Sequence, residues 1–164
     1  KAMIGLCSDI HDNMWALDRA LPLLSPADVV LFCGDFCAPF TLAQLAEGLA
    51  PRPLHVVWGN NDGDRHSLTR VAAGFDHVQL HGEFAELEVD GVRVLMTHYP
   101  DVARQLVAGA GAGIVCYGHD HVAHQEQVGD ALLVNPGEIM GRLGQRSIAL
   151  VEETSKAVEQ ISFD

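Results

Sequence analysis

The 164-residue chain is predicted to be an α/β protein, a four-layer αββα sandwich in which two facing mixed sheets carry helices on their outer sides. Three observations predict it. Short apolar runs at Met3–Cys7, Val29–Cys33 and His55–Trp58 each end in a polar loop that leads into a helical pattern, which is how a parallel sheet reads. After about residue 76 the texture changes to short strands joined by tight-turn signals, so a second sheet is expected. The length fits a single domain over residues 1–164, long enough to bury a substantial core.

Each element has its own warrant. Met3–Cys7 stops at Ser8-Asp9, and Asn13, a favoured helix cap, precedes a helical run carrying Trp15, Leu17, Ala20, Leu21 and Leu24. Asp9 and His11 therefore lie on a loop at the carboxyl end of a strand, where open α/β sheets hold their ligands. Val29–Cys33 closes on Gly34-Asp35 ahead of a helix over Thr41–Leu49. His55–Trp58 leads into Gly59-Asn60-Asn61-Asp62-Gly63-Asp64 and a short helix around Leu68–Ala73. Next comes a short strand at Val78–Leu80. Phe84–Val89 alternates polar and apolar residues, Asp90-Gly91 marks a hairpin, and Val92–Met96 returns to end at Thr97-His98. Pro100 opens a helix that runs to Ala108, with Gly109 near its stop. Ile114–Tyr117 is the next strand and delivers Gly118-His119-Asp120-His121. His124–Val128 and Ala131–Val134 flank Gly129-Asp130, and Ser147–Glu152 with Val158–Phe163 form a terminal pair, so the second half is expected to be mostly antiparallel. The run from Gly109 to Gly113 lacks the Lys-Ser/Thr of a P-loop and precedes a strand, so it reads as a flexible helix exit.

Bulk properties narrow the function classes. With 22 acidic against 10 basic side chains the formal charge is −12, which argues against general nucleic-acid binding, since phosphate contacts need clustered Lys and Arg. No apolar run approaches the roughly 20 residues that span a bilayer, and no basic-then-apolar leader is present, so a cytoplasmic address and no membrane partner are expected. Lys1-Ala2 ahead of Met3 reads as a remnant outside the native start. Cys7, Cys33, Cys37 and Cys116 are too few and too embedded in apolar runs for a disulfide framework, and they read as buried or loop thiols. A homo-oligomer stays open.

Seven residues stand apart from core and surface positions: Asp9, His11, Asp35, Asn60, His98, His119 and His121. Taken singly, Asp9 or Asp35 would cap a helix or turn, Asn60 would serve a turn, and His98 would be a hydrogen-bonded, half-buried side chain. All of them at strand ends, in one direction of chain, point instead to a common site. Carboxylate, imidazole and amide donors suit Mn, Fe, Co, Ni or Zn, and the thiolates of structural zinc are missing. Seven donors exceed the need of one ion. Two ions sharing Asp35 account for them, and such a pair, roughly 3.5–4 Å apart, acidifies water and clamps the oxygens of an in-line displacement.

The ordered set Asp9-Ile10-His11, Gly34-Asp35, Gly59-Asn60-Asn61-Asp62, Thr97-His98 and Gly118-His119-Asp120-His121 resembles the calcineurin-type metallophosphoesterase family. The short chain and the late Asn135-Pro136-Gly137 segment are similar to its small bacterial and archaeal single-domain phosphodiesterases. The resemblance implies an αββα sandwich and a binuclear centre, manganese among the candidate ions. Asp9, His11 and His121 would hold one metal, Asn60, His98 and His119 the other, with Asp35 shared. It further implies that a hydroxide between the ions attacks a small or nucleotide-like phosphodiester while Asn60 helps neutralise the phosphoryl oxygens. Asp62 would stand behind the ligands and orient the loop or a His ligand.

Departures from the pattern shape the expectation. Asn61 stands where many members have a proton-donating His, which favours good leaving groups. Tyr99-Pro100 replaces a common Gly-His, so Tyr99 either contacts substrate or packs. Asp12 and Asp120 replace small residues and are expected to put negative charge near the mouth, disfavouring highly charged monoesters. His66 is a candidate acid or substrate contact, whereas Arg142 and Arg146 read as a solvated loop. The alternatives are a phosphomonoesterase or nuclease on the same metals, or a non-catalytic scaffold like the retromer subunit that shares the fold.

Overall fold

The computed structural model describes residues 1–109 and 111–164. Ala110, inside the Gly109–Gly113 run, lies outside the described residues. Eleven strands form two sheets, one ordered β11-β10-β1-β2-β3-β4 and the other β5-β6-β7-β9-β8. In the first, β1 (Met3–Cys7), β2 (Val29–Phe32), β3 (Leu54–Val56) and β4 (Val78–Leu80) run parallel. Between them lie α1 (Met14–Ala20), α2 (Pro39–Leu49) and α3 (Arg65–Ala73). The second sheet holds β5 (Phe84–Val89), β6 (Val92–Thr97), β7 (Ile114–Cys116), β8 (His124–Val128) and β9 (Ala131–Asn135), with α4 (Pro100–Gly109) connecting β6 to β7. The last two strands, β10 (Ser147–Glu152) and β11 (Val158–Ser162), return to the first sheet, where β10 runs antiparallel to β1.

Three apolar layers follow from strand alternation. Leu54 and Val56 face α1, α2 and α3, joining Leu17, Leu42, Leu45 and Leu68. Residues on the opposite faces, such as Ile4, Leu6 and Leu31, meet Val94, Met96, Ile114 and Val134 of the second sheet. Leu95, Val115 and Leu133 point outward beneath Ala103 and Val107 of α4. The expected four layers are present.

Several boundaries differ from the sequence reading for local reasons. The first helix gives way after Ala20 to a 3-10 turn over Leu21–Leu24, because Pro22 has no N–H for an i to i−4 bond. Pro39 instead opens α2, where a missing N–H costs nothing. The third strand is Leu54–Val56, and α3 starts at Arg65, capped by the Asp64 carboxylate accepting from Ser67 N–H at 3.1 Å. The second half is mostly antiparallel, as expected: the β5–β6 and β8–β9 hairpins, the β10–β11 pair and β10 against β1 run antiparallel, while β7 lies parallel to β6 and to β9.

Register places the site. Cys7, Phe32 and Val56 are aligned in the first sheet, and Met96, Cys116 and Val134 in the second, so the loops after β1, β2, β3, β6, β7 and β9 leave at matching strand ends.

Candidate metal centre

All seven singled-out residues converge where those loops meet. The backbone is forced to let them. Asp9, His11, Asp35, His119 and His121 have φ of 57°, 47°, 70°, 76° and 65°, a left-handed region that costs a non-glycine residue of order 1 kcal/mol each. Main-chain bonds hold this shape: Asp9 N–H donates to Gly34 O at 3.0 Å, and Ile10 and His11 N–H both donate to Asp35 O at 2.9 and 3.0 Å. Glycine is obligatory at position 34, where φ is +103° and a Cβ would collide with the His98 ring and the Gly59 backbone.

The side chains form two clusters around one carboxylate. His121 Nε2 lies 3.2 Å and His11 Nε2 3.4 Å from Asp9 Oδ1, and His11 Nε2 is also 3.4 Å from Asp35 Oδ2. On the other side, His98 Nε2 is 3.3 Å from the same Asp35 Oδ2. Asn60 Oδ1 sits 3.1 Å from both His98 Nε2 and His119 Nδ1, and those two nitrogens are 3.3 Å apart. Asp9, His11 and His121, and also Asp9, Asp35 and His98, are close enough for one atom of each to reach a common ion.

The tautomers decide what these distances mean. His98 Nδ1 is 2.6 Å from the Cys33 carbonyl oxygen, which only accepts, so Nδ1 carries a proton, and in the neutral ring Nε2 turns its lone pair to Asn60 Oδ1 and Asp35 Oδ2. His121 Nδ1 likewise donates to Glu138 Oε2 at 2.7 Å, which points Nε2 at Asp9. Lone pairs facing lone pairs at such separations repel unless a positive charge lies between them. Metal-to-ligand distances of about 2.0–2.2 Å put adjacent ligands about 3.0–3.4 Å apart, so the donor set fits divalent cations.

Titration follows the same logic, because a cluster of acceptors draws protons as it draws metal. The Asp9 carboxylate, with Glu138 behind it, pushes His121 up to about 9 against the effect of burial. Burial alone would lower His98, but the Asp35 carboxylate, then Asp9 and the Cys33 carbonyl, hold it above its ordinary value. Burial would raise Asp9, yet hydrogen bonds from His11, His121 and Ser8 keep it well below the usual carboxylate range. Asp35 is lowered in the same way by His98 and by Asn61.

The remaining singled-out residues divide into supports and bystanders. Asn61 donates to Asp35 twice, from its backbone to Oδ1 at 2.8 Å and from its amide to Oδ2 at 3.0 Å. Asp62 is buried and accepts from the backbone N–H groups of Asp35, Gly59 and Cys37, each at 2.8 Å, tying the Asp35 and Asn60 loops together. Tyr99 packs its ring 5.2 Å from both His98 and His119. Asp12 Oδ1 accepts from Ala38 N–H at 2.9 Å and from the Thr41 hydroxyl, capping α2 where Ala38 has no side chain to do so. Asp120 is exposed and accepts from Val122 N–H and the Asn135 amide. His66 is exposed in the first turn of α3, Arg142 is exposed, and Arg146 donates to Met140 O at 3.3 Å.

Sequence reasoning missed Glu138, Ser8 and the Cys33 carbonyl. Ser8 donates to Asp9 Oδ2 at 2.6 Å, and Glu138 is wholly buried beneath His121. The one signal for Glu138 was its place as the first acid after an apolar strand ending at the same edge, directly behind Asn135-Pro136-Gly137, which does not name its partner. All four cysteines are free thiols, and Cys37 Sγ lies 3.8 Å from His11 Nδ1.

A model of the calcineurin-like phosphoesterase superfamily domain matches residues 3–156. The chain belongs to that superfamily. By family it is a hydrolase. It is 29% identical to a phosphodiesterase of Methanocaldococcus jannaschii, over 98% of this chain and 99% of that one. Among solved structures, a novel archaeal phosphodiesterase superimposes with a TM-score of 0.88 at 27% identity, covering 98% of this chain and 99% of that one. Wild-type Vps29 of Entamoeba histolytica, complexed with zinc, shares the fold at a TM-score of 0.61 and 20% identity, covering 99% of each chain. Among the described residues no helix is long and apolar enough to cross a membrane.

Proposed function

We propose that the chain hydrolyses small phosphodiesters with two divalent ions, drawn from Mn, Ni, Fe, Co and Zn. Asp9, His11 and His121 would hold one, and Asn60, His98 and His119 the other, with Asp35 common to both. The observation that carries this reading is the position of Asp35 Oδ2, 3.4 Å from His11 Nε2 and 3.3 Å from His98 Nε2, between the two clusters. Ions bound there would acidify water and neutralise charge on phosphoryl oxygens.

The chain supplies positioning. Glu138 and the Cys33 carbonyl each take the outer N–H of an imidazole, fixing the ring and raising the basicity of its inner nitrogen. Asn61 spends its amide on Asp35 and holds no proton to give to a departing oxygen at neutral pH, so esters with acidic leaving groups are favoured. Asn60, exposed at the mouth, presents Oδ1 inward and keeps an NH2 group to donate to a phosphoryl oxygen.

The test is a panel of p-nitrophenyl diesters and monoesters with the Mn- or Ni-loaded chain, alongside Asp35→Ala. Diester turnover that disappears in Asp35→Ala is expected. Faster monoester or polynucleotide cleavage would move the reading to the phosphomonoesterase or nuclease alternative. No turnover with any ion, and wild type indistinguishable from Asp35→Ala, would leave a non-catalytic scaffold.

A further inference from the structure

The large apolar side chains most exposed in this protein are gathered at one edge. Trp15, Phe40, Phe84, Val102, Val122 and Leu143 are between 41% and 74% exposed. Trp15, Phe40 and Val102 occupy the first turns of α1, α2 and α4, the helices that follow the loops bearing His11, Asp35 and His98. Val122 directly follows His121. Phe84 pairs across the hairpin with Thr97, the residue before His98. Leu143 donates its backbone N–H at 2.9 Å to Glu138, whose other oxygen holds His121. Exposed apolar groups are ordinary when scattered. Here each lies within a few residues of a candidate ligand or its support along the chain, or pairs across a hairpin with the residue beside one.

These residues fall in two arcs. Trp15 and Phe40 rise from helices of the first sheet, and their segments are joined by the Asp12 bonds to Ala38 and Thr41. Phe84, Val102 and Val122 rise from the second sheet, and Leu143 stands on the loop between β9 and β10. The two sheets whose strand ends deliver the seven polar residues are sandwiched between the α1–α2 layer and α4. A phosphodiester has that same layout, a charged phosphorus centre with one ester arm on either side. Acids on the same loops oppose further charge: Asp101 sits in the first turn of α4, and the exposed Asp120 lies in sequence between His119 and His121.

Resting on the phosphodiesterase reading above, we propose that the two arcs form a substrate rim and that the preferred substrates are phosphodiesters whose ester arms are both apolar, alkyl or aryl, with no second phosphate. The phosphate is held by the polar centre. The arms lie along the arcs and lose water there.

The experiment uses the metal-loaded chain with methyl, butyl and hexyl p-nitrophenyl phosphates, which share a leaving group and differ only in the apolar arm. The expected result is a rise in kcat/KM on the order of tenfold from methyl to hexyl, carried mainly by KM. Trp15→Ser with Phe40→Ser, and separately Val122→Ser with Leu143→Ser, flatten that dependence in at least one pair. Because Trp15 is 74% exposed and Trp58 only 8%, acrylamide quenching reads Trp15, and hexylphosphonate but not methylphosphonate should shield it. Hydrolysis with no dependence on arm length and no shielding overturns the proposal. Shielding by hexylphosphonate without hydrolysis of any ester supports the ligand class and removes the activity. Shielding that grows with protein concentration alone, with a doubled mass in sedimentation, overturns the proposal in favour of a contact between two copies.

Discussion

The two clusters that meet at Asp35 are built differently. The one around Asp9 and His121 is deep: Asp9 is fully buried, His121 is 8% exposed, and three carboxylates, Asp9, Asp35 and Glu138, stand within reach of its imidazoles. The one around His98 shares Asp35, but its other donors are the exposed Asn60 and His119, neither of them a carboxylate. Negative charge behind low-exposure donors favours a cation far more than neutral donors in water do. The comparison teaches that the centre is asymmetric. The deep cluster should bind a metal tightly and serve as structure, while the shallow one should exchange its ion and stand nearer the substrate.

The strongest way to break the comparison is to remove what the clusters share. Asp35→Ala should drop metal content below one tightly held ion per chain and take diester hydrolysis below detection, as read by elemental analysis and p-nitrophenol release. If it keeps two ions, Asp35 is not common to both. Asp62→Ala comes next and acts on the wall between the clusters. It strands two buried backbone N–H groups and a partly buried third, so a stability loss of about 3 kcal/mol is expected in urea unfolding. Glu138→Gln sharpens the asymmetry. Metal affinity of the deep cluster should weaken about 10- to 100-fold with the shallow one little changed, whereas His119→Ala should do the reverse in a two-step calorimetric titration.

Acidity gives two smaller effects. His121, raised to about 9, must lose its proton to bind metal, so deep-cluster affinity should climb from pH 6.5 towards about 9 and then level off. The same raised value means that without metal His121 contributes stability fully below pH 6.5, and that contribution is lost as pH rises through about 9. Away from the centre, His55 Nδ1 and His81 Nε2 lie 2.9 Å apart at β3 and the end of β4, and burial, with His81 beside it, lowers His55 to about 4. A lowered histidine is neutral in the folded chain, so its contribution is present above pH 6.5 and is lost as pH falls through about 4. His55→Gln should flatten the unfolding midpoint across that window. If the slope persists, acid sensitivity arises elsewhere, the metal cluster being the next place to look.

Much of the site was legible because its parts are local. A short apolar run followed by a polar loop announces a strand end, and Asp9, His11, Asp35, Asn60, His98, His119 and His121 all sit on such loops. Glu138 was not legible as a partner of His121, since a lone acid in a loop has many fates. The capping role of Asp12 was hidden for a related reason: whether a loop carboxylate meets a helix end depends on where α2 lies.

By itself the sequence determined the strand-loop-helix order and the sheet count and singled out the candidate donor residues, because periodicity and residue chemistry act over a few neighbours. Only the tertiary structure decided that β10 returns beside β1, that β7 and β9 pair in parallel, and that five of the seven donors adopt left-handed backbone. The physical reason is range. Sheet order and strained loop geometry are fixed by hydrogen bonds between segments far apart in the chain, such as Met140 N–H to Asp9 O and Asp9 N–H to Gly34 O, both 3.0 Å.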